Sequence, residues 1–144
     1  MNRRLGLSLS AVLLSACGYF AAGIWEDDPR NWERAFGVEQ PIAVVVVHSK
    51  YWRSPHWTLE FEYFFQVKAD PALKDSLVRR RGLEPMPPSG SSGSSRGSRS
   101  APEWFCPKEP GRYEAWASRE RQAIDFQLFV DRETGDLFFT GQLL

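Results

Sequence analysis

The segment WTLEFEYFFQV, residues 57–67, decides the fold because its character alternates over eleven positions. Large apolar side chains occupy the odd-numbered positions, and the even-numbered positions are mostly polar. Successive side chains of a β-strand point to opposite faces of the sheet, so a period of two is the period of a strand. The segment therefore predicts a strand with one buried face, made of Trp57, Leu59, Phe61, Tyr63, Phe65 and Val67.

A second apolar segment, PIAVVVVH at residues 41–48, precedes this strand. It is a nearly continuous run of β-branched and other apolar residues, which is typical of a strand that is covered on both faces. The eight residues between the two segments, SKYWRSPH at 49–56, then form the connection. We expect a hairpin with residues 49–56 as its loop.

A second hairpin is predicted near the C-terminus. Residues 124–130 (IDFQLFV) and 137–143 (LFFTGQL) both alternate, and DRETGD at 131–136 joins them. Gly135 suits a left-handed position in such a turn. The segment RYEAWAS, residues 112–118, is ambiguous between a short strand and a helical turn.

Two short helices are expected from paired start and stop signals. Asp-Pro at residues 28–29 and again at 70–71 is typical of a helix N-terminus, where the carboxylate caps free amides and proline takes the first turn. Gly37 and Gly82 suit the corresponding ends. The arginines at residues 79–81 either complement the dipole of the second helix or contact anionic lipid, and the first interpretation is favoured.

Residues 85–102, PMPPSGSSGSSRGSRSAP, differ in composition from the rest of the chain. Residues 89–100 consist of seven Ser, three Gly and two Arg, so they offer nothing to bury and are predicted to be disordered. The flanking segments are each thin for an independent core, which favours an insertion within one domain at residues 25–144. The predicted fold class is α+β, a mainly antiparallel sheet of four to five strands with two short helices.

The N-terminus has the order of parts of a secretory signal. A basic start, MNRR, is followed by an uncharged apolar run at residues 5–14, which is too short to span a bilayer. The run ends in Leu14-Ser15-Ala16-Cys17, and this ending resembles the lipobox of bacterial lipoproteins. Residues 1–16 are thus predicted to be a lipoprotein signal peptide.

The resemblance to bacterial lipoproteins implies a lipid anchor at Cys17. Diacylglycerol would be attached to the Cys17 sulfur, cleavage would occur before Cys17, and the new amino group would be acylated, for example with palmitate. Several acyl chains hold a protein stably at a bilayer. Residues 17–24 would form a tether that reaches at most about 25 Å, which keeps the domain close to the membrane. Since Gly18 rather than aspartate follows Cys17, the resemblance implies the periplasmic face of the outer membrane, with that of the inner membrane as the alternative.

Composition limits the class of partner. The chain has 144 residues, and 128 remain when residues 1–16 are removed. Arg3 and Arg4 leave with the leader, so 16 of the 18 basic side chains remain against 18 acidic ones. Nucleic-acid binding needs a marked basic excess, so a nucleic-acid partner is not expected.

Few residues suggest catalysis or metal binding. The sequence contains no phosphate-binding loop, no HExxH and no GxSxG. Cys106, a lone thiol once Cys17 is acylated, is most simply a buried filler, with an intermolecular disulfide and a catalytic thiol as alternatives. His48 and His56 with Glu60 and Glu62 form a weak candidate metal set. We expect no catalytic residue, metal or cofactor.

The predicted loop contains the candidate partner-binding residues. Tyrosine, tryptophan and arginine are enriched where proteins bind proteins. The alternative is that Trp52 and Trp57 fold inward and close the end of the core. The candidate residues are Tyr51, Trp52, Arg53, His56 and Trp57.

The leading functional hypothesis is a non-catalytic, membrane-anchored periplasmic module that binds a protein. An accessory subunit of an envelope assembly or an antagonist of a toxin would fit. The alternative is a protein that binds a small apolar ligand or lipid on its aromatic sheet. A small hydrolase that uses Cys106 or His56 is the third hypothesis.

Overall fold

Seven strands and two helices make up the part of the chain that a computed structural model describes, residues 22–55, 59–87, 101–105, 107, 111–118 and 123–143. The strands are β1 (Gly23–Glu26), β2 (Val46–Arg53), β3 (Phe61–Val67), β4 (Leu83–Pro85), β5 (Tyr113–Ser118), β6 (Asp125–Asp131) and β7 (Leu137–Leu143). The helices are α1 (Asn31–Phe36), between β1 and β2, and α2 (Pro71–Arg81), between β3 and β4.

The strands form a single sheet in the order β1-β2-β3-β7-β6-β5-β4, and every neighbouring pair is antiparallel. After β3, at the centre of the sheet, the chain crosses one face as α2 and reaches the far edge at β4. It then returns through β5 and β6 to β7, which pairs with β3. The centre of the sheet is thus made of two strands that are distant in sequence.

The strand register defines two ends of the sheet. At the Gly23 end, one row of paired positions contains Gly23, Arg53, Phe61 and Leu143. At the Val46 end, the corresponding row contains Val46, Val67, Leu137 and Val130. The chain enters the sheet at the Gly23 end, and α2 begins just beyond the Val46 end, because Pro71 follows β3 by only four residues.

The α+β class with a mainly antiparallel sheet and two helices is confirmed, but the predicted count of four to five strands is wrong. Strands β1 and β4 form the two edges and are only four and three residues long. Periodicity cannot be recognised in segments so short. The ambiguous segment at residues 112–118 proves to be strand β5.

The predicted position of the second strand is also wrong. Residues 41–45 precede strand β2, which runs on through Arg53 and takes up five of the eight residues of the predicted loop. Pro41 begins a turn in which its carbonyl accepts from the Val44 amide at 2.9 Å. A continuous apolar run does not alternate, so it does not indicate where strand pairing starts. The polar residue Ser49 is buried within β2, which the sequence pattern also did not indicate.

The prediction that β3 has one buried face is wrong as well. Tyr63, Phe65 and Val67 are buried on the face that carries α1 and α2, as expected. Phe64 is only 1% exposed on the opposite face. Its ring meets Phe105 edge-on with centroids 5.0 Å apart. The sheet is therefore covered on both sides, and the second cover comes from residues 101–105, which have no periodic pattern.

Two apolar clusters form the core, one on each face of the sheet. The smaller consists of Phe64, Phe105, Ala115, Phe129 and Phe138, with Met86, Trp104 and Tyr113 packed against it. The larger lies beneath the helices and contains Trp32, Val44, Tyr51, Tyr63, Phe65, Val67, Leu77, Leu83, Phe126, Leu128, Leu137 and Phe139.

The helix signals are largely confirmed. The Asp70 carboxylate accepts from the Leu73 amide at 2.9 Å, and Pro71 takes the first turn of α2. Gly37 and Gly82 end their helices in the left-handed conformation. The start of α1 differs, since Asp28 accepts from the Arg30 amide within the preceding turn rather than capping the helix.

The C-terminal hairpin is confirmed, with Gly135 at φ +76°. In its turn, Asp131 accepts from the Glu133 amide at 2.9 Å and from the Arg112 guanidinium at 2.9 Å. The hydrogen bond from Arg112 is the main reason that the pKa of Asp131 is lowered.

Several predictions concern residues outside the described ranges. They include the signal peptide at 1–16, the lipidation of Cys17, most of the tether at 17–24 and most of the insertion at 85–102. Cys106, His56 and Trp57 also lie outside the described residues. The last two tether positions, Gly23 and Ile24, are the first two residues of β1.

Candidate functional site

The turn between β1 and α1 is held against the neighbouring strand β2 by Asp27. Its backbone lies in the left-handed region, with φ +49°. The Asp27 amide donates to the Ser49 carbonyl at 2.7 Å, and its carboxylate accepts from the Ser49 amide at 2.8 Å. Asp27 therefore extends the ladder of the edge strand with its side chain and turns the chain toward α1.

Asn31, at the start of α1, is fully buried and fixes the helix to both strands. Its side-chain amide donates to the Trp25 carbonyl and to the Ser49 hydroxyl, each at 3.0 Å. Its oxygen accepts from the Arg34 guanidinium at 2.8 Å. A buried amide with this many partners sets one position for the helix, because leaving any partner unsatisfied would cost free energy.

Arg34 completes the network on the outer side of α1. Its guanidinium lies over the Trp25 ring, 4.6 Å from the centroid, and pairs with the Asp28 carboxylate at 3.1 Å. The hydrogen bond from Arg34 is the largest cause of the lowered pKa of Asp28, followed by that from the Arg30 amide. Asp28 is therefore a fixed anion at neutral pH.

Asp27, Asp28 and Ser49 line a cleft of about 230 Å³ between α1 and β2, which we call the α1 cleft. This volume is smaller than the roughly 300–1,000 Å³ that small-molecule sites usually enclose. Trp32 is buried beside it, and its indole N–H has no hydrogen-bond partner among the described residues. The lining consists of Asp27, Asp28, Pro29, Trp32, Gln40, Val46, Val47, Ser49 and Phe65.

The chemistry available around the α1 cleft is that of a structural network. The Ser49 hydroxyl is buried and accepts from Asn31, and both aspartates accept hydrogen bonds from neighbouring groups. His48 lies 3.3 Å from the Asp27 carboxylate and stacks on Trp104 with ring centroids 5.4 Å apart. Within the described ranges, no three His, Cys, Asp or Glu side chains lie close enough together to hold a metal ion.

The structure separates the candidate partner-binding residues that it describes. Tyr51, Trp52 and Arg53 belong to strand β2 and not to a loop, so neighbours point to opposite faces. Tyr51 is 5% exposed and stacks on Phe61 with centroids 6.1 Å apart. Trp52 and Arg53 are partly exposed at the Gly23 end of the sheet. The prediction that these residues lie on a loop is wrong, because strand β2 continues through residues that were assigned to the connection.

The segment between α1 and β2, part of which was predicted to be a covered strand, exposes apolar side chains instead. We define the apolar loop as residues 38–45, between α1 and β2. Val38 and Val45 are 58% and 57% exposed, and Ile42 is fully exposed. Sequence reasoning missed this surface because it assigned residues 41–45 to a covered strand. The signal was Pro41, which cannot donate to a sheet ladder and often marks a turn.

The apolar loop is held in place although its apolar side chains face solvent. Val44 is buried in the larger core cluster, and its carbonyl accepts from the Gln40 side chain at 2.8 Å. The Val45 carbonyl accepts from the Lys68 amide at 3.0 Å, which ties the loop to the segment after β3. Contiguous exposed apolar patches mark interaction sites, so three exposed aliphatic side chains on one loop make it a candidate for such a site.

Comparisons of the chain with protein families, with curated proteins and with solved structures found no match. Neither of the helices in the described ranges combines the length and apolar character needed to cross a bilayer.

Proposed function

We propose that this chain is a lipid-anchored periplasmic protein that binds another protein of the envelope and is not an enzyme. The main support is the apolar loop, which exposes Val38, Ile42 and Val45 on a backbone that is fixed by hydrogen bonds. Exposed apolar side chains that are held in one geometry lose little conformational freedom on binding. Polar neighbours such as Glu39 and Gln40 keep the loop compatible with water when no partner is bound.

The topology supports membrane attachment at the Gly23 end of the sheet and partner binding at the Val46 end. The segment that would carry the acyl groups joins the sheet at Gly23, whereas the apolar loop leads into Val46 at the other end. Strand β2 connects the two ends over seven residue steps, or about 23 Å. A chain anchored by Cys17 would thus present the apolar loop away from the membrane, toward partners in the periplasm.

Acylation of Cys17 is tested by metabolic labelling. Cells that express the full chain and are fed labelled palmitate should incorporate label into it, and Cys17→Ser should abolish the label because the acceptor sulfur is lost. The labelled chain should sediment with outer-membrane fractions, since Gly18 follows Cys17. An unlabelled mature chain that is freely soluble would contradict the anchor, and sedimentation with the inner membrane would select the alternative location.

Binding through the apolar loop is tested by capture of partners from crosslinked envelopes. The double variant Val38→Asp/Ile42→Asp should reduce stoichiometric recovery of a partner by about tenfold or more, because each charge would lie in an apolar contact. Its melting temperature should not change, since both side chains are exposed. Leu59→Asp is the matched control, because Leu59 is an exposed apolar residue near the Gly23 end.

The capture experiment also distinguishes the two candidate surfaces. If Trp52→Ala/Arg53→Ala abolishes capture while Val38→Asp/Ile42→Asp does not, the partner binds at the Gly23 end and the apolar loop is the wrong surface. Failure to recover any stoichiometric protein with the unaltered chain would contradict the binding function itself.

A further inference from the structure

Helix α2 carries three consecutive arginines to the end of the sheet where the chain enters. The helix starts beyond the Val46 end and finishes at Arg81, whose guanidinium lies over the Phe126 ring, 5.0 Å from the centroid. Phe126 pairs with Gly141, two positions from Leu143 at the Gly23 end. The C-terminal turn of α2 and the predicted tether therefore lie at the same end of the molecule.

The three arginines are not equivalent. Arg81 is partly buried against the sheet, whereas Arg79 and Arg80 are exposed. In the described part of the chain, neither Arg79 nor Arg80 pairs with a carboxylate, in contrast to Arg34 and Arg112. Complementing the helix dipole accounts for cations in this turn but leaves these two guanidinium groups available to an anionic partner.

Arg79 and Arg80 lie at the end of the sheet that an acylated Cys17 would hold near a bilayer. Cys17 precedes Gly23 by six residues, so an acylated Cys17 would hold the Gly23 end within about 21 Å of the bilayer surface. Guanidinium groups bind phosphate oxygens in a bidentate geometry. Asp125 is an exposed carboxylate near this end, and it already accepts from the Gln142 side chain at 3.3 Å.

We propose that Arg79 and Arg80 bind the phosphate groups of anionic phospholipids in the membrane that holds the acylated Cys17. This proposal rests on the proposed lipid anchor. It adds a second contact, which fixes the orientation of the domain so that the apolar loop at the Val46 end points away from the bilayer. A single flexible attachment at Cys17 would leave that orientation undefined.

The test uses the acylated full chain reconstituted in two kinds of vesicle, phosphatidylcholine alone and phosphatidylcholine with 30% phosphatidylglycerol. Amide hydrogen exchange is followed in the peptide that covers residues 71–85. We expect exchange in the C-terminal turn of α2 to be about fivefold slower in the anionic vesicles, which corresponds to one well-made contact between an arginine and the surface. Added salt should remove the difference, because the contact is electrostatic.

Two variants assign the effect to these arginines. Arg79→Gln/Arg80→Gln should abolish the difference between vesicles, and Arg81 is kept because it packs on Phe126. Arg30→Gln/Arg132→Gln removes two exposed arginines from the part of the molecule that includes α1 and the turn after β6, and it should leave the difference unchanged.

The outcomes separate this proposal from the anchor on which it rests. A chain that sediments with both kinds of vesicle but exchanges equally in them overturns the headgroup contact and leaves the anchor intact. A chain that does not sediment with the vesicles overturns both. Protection that appears only when envelope protein is added would assign the arginines to a protein partner and would overturn the lipid contact.

Discussion

Gly141→Ala should lower the free energy of unfolding by about 3 kcal/mol or more, equivalent to a fall of about 10 °C in melting temperature. Gly141 pairs with Tyr63 across the central strands β7 and β3. A Cβ atom at Gly141 would overlap the Cζ and hydroxyl oxygen of Tyr63. The ring cannot easily move away, because it is fully buried and its neighbours are Phe36, Phe61 and Phe65.

Two further variants establish the cause of the Gly141→Ala effect. Gly37→Ala is the matched control, since nothing lies within 4 Å of its added Cβ and only its left-handed backbone, at φ +69°, is strained. It should cost about 1 kcal/mol. In a Tyr63→Leu background the additional cost of Gly141→Ala should fall to about 1 kcal/mol or less, because the overlapping atoms are gone. Equal unfolding free energies for Gly141→Ala and the unaltered chain would refute the contact.

Alkaline pH should destabilise the protein by about 2 kcal/mol between pH 10 and pH 12 through Tyr63. Burial raises the pKa of Tyr63 from 10.0 to about 12. A raised pKa in the folded state means that the contribution to stability is complete below pH 10 and is lost as the pH rises toward 12. Over that window the unfolded tyrosine is more ionised than the folded one, and near pH 11 each pH unit lowers the unfolding free energy by close to 1.4 kcal/mol.

Denaturant unfolding of the unaltered chain and of Tyr63→Phe, measured from pH 8 to pH 12, tests this dependence. At pH 8 the two should differ by less than about 1 kcal/mol, since the Tyr63 hydroxyl has no hydrogen-bond partner among the described residues. At pH 12 the Tyr63→Phe variant should be the more stable one. Tyr113→Phe, at a partly exposed position, is the control. Parallel stability curves for the unaltered chain and Tyr63→Phe would contradict the prediction.

The sequence predicted those parts of the fold in which local pattern and tertiary environment agree. The C-terminal hairpin forms at the two alternating segments predicted for it, and β3 forms within the alternating segment 57–67, although it starts only at Phe61. Asp70, Pro71 and Gly82 act on the nearest backbone atoms, so they fix the ends of α2 whatever the rest of the chain does. Such signals are local, which is why they can be recognised without the structure.

The failures have a common physical origin in long-range packing. Phe64 is buried because Phe105, more than forty residues later, packs over it, and no local pattern encodes this contact. The edge strands β1 and β4 exist because β2 and β5 offer them unpaired backbone groups. In the same way, Ile42 is exposed because the ladder of β2 begins only at Val46.

The residues expected to form the candidate site were placed on a loop, and the structure places those that it describes on strand β2. Aromatic and basic residues were expected to form a contact surface on a loop, and Tyr51 instead became part of the core. The surface that is exposed on a loop is aliphatic, and its residues had been assigned to the interior of a strand. The residue types at positions 51–53 led to the expectation of a contact surface, but the register of β2 decides which of these side chains are exposed.

The pairing of β7 with β3 also determines when this protein can fold. Residues 137–143 occupy the middle of the sheet and join its two halves, yet they follow every other strand in the chain. Until they become available, β3 lacks a neighbour on one side and the two aromatic layers cannot close. A polypeptide that lacks residues 137–143 would therefore leave the two halves of the sheet unjoined, so the whole fold depends on this last strand.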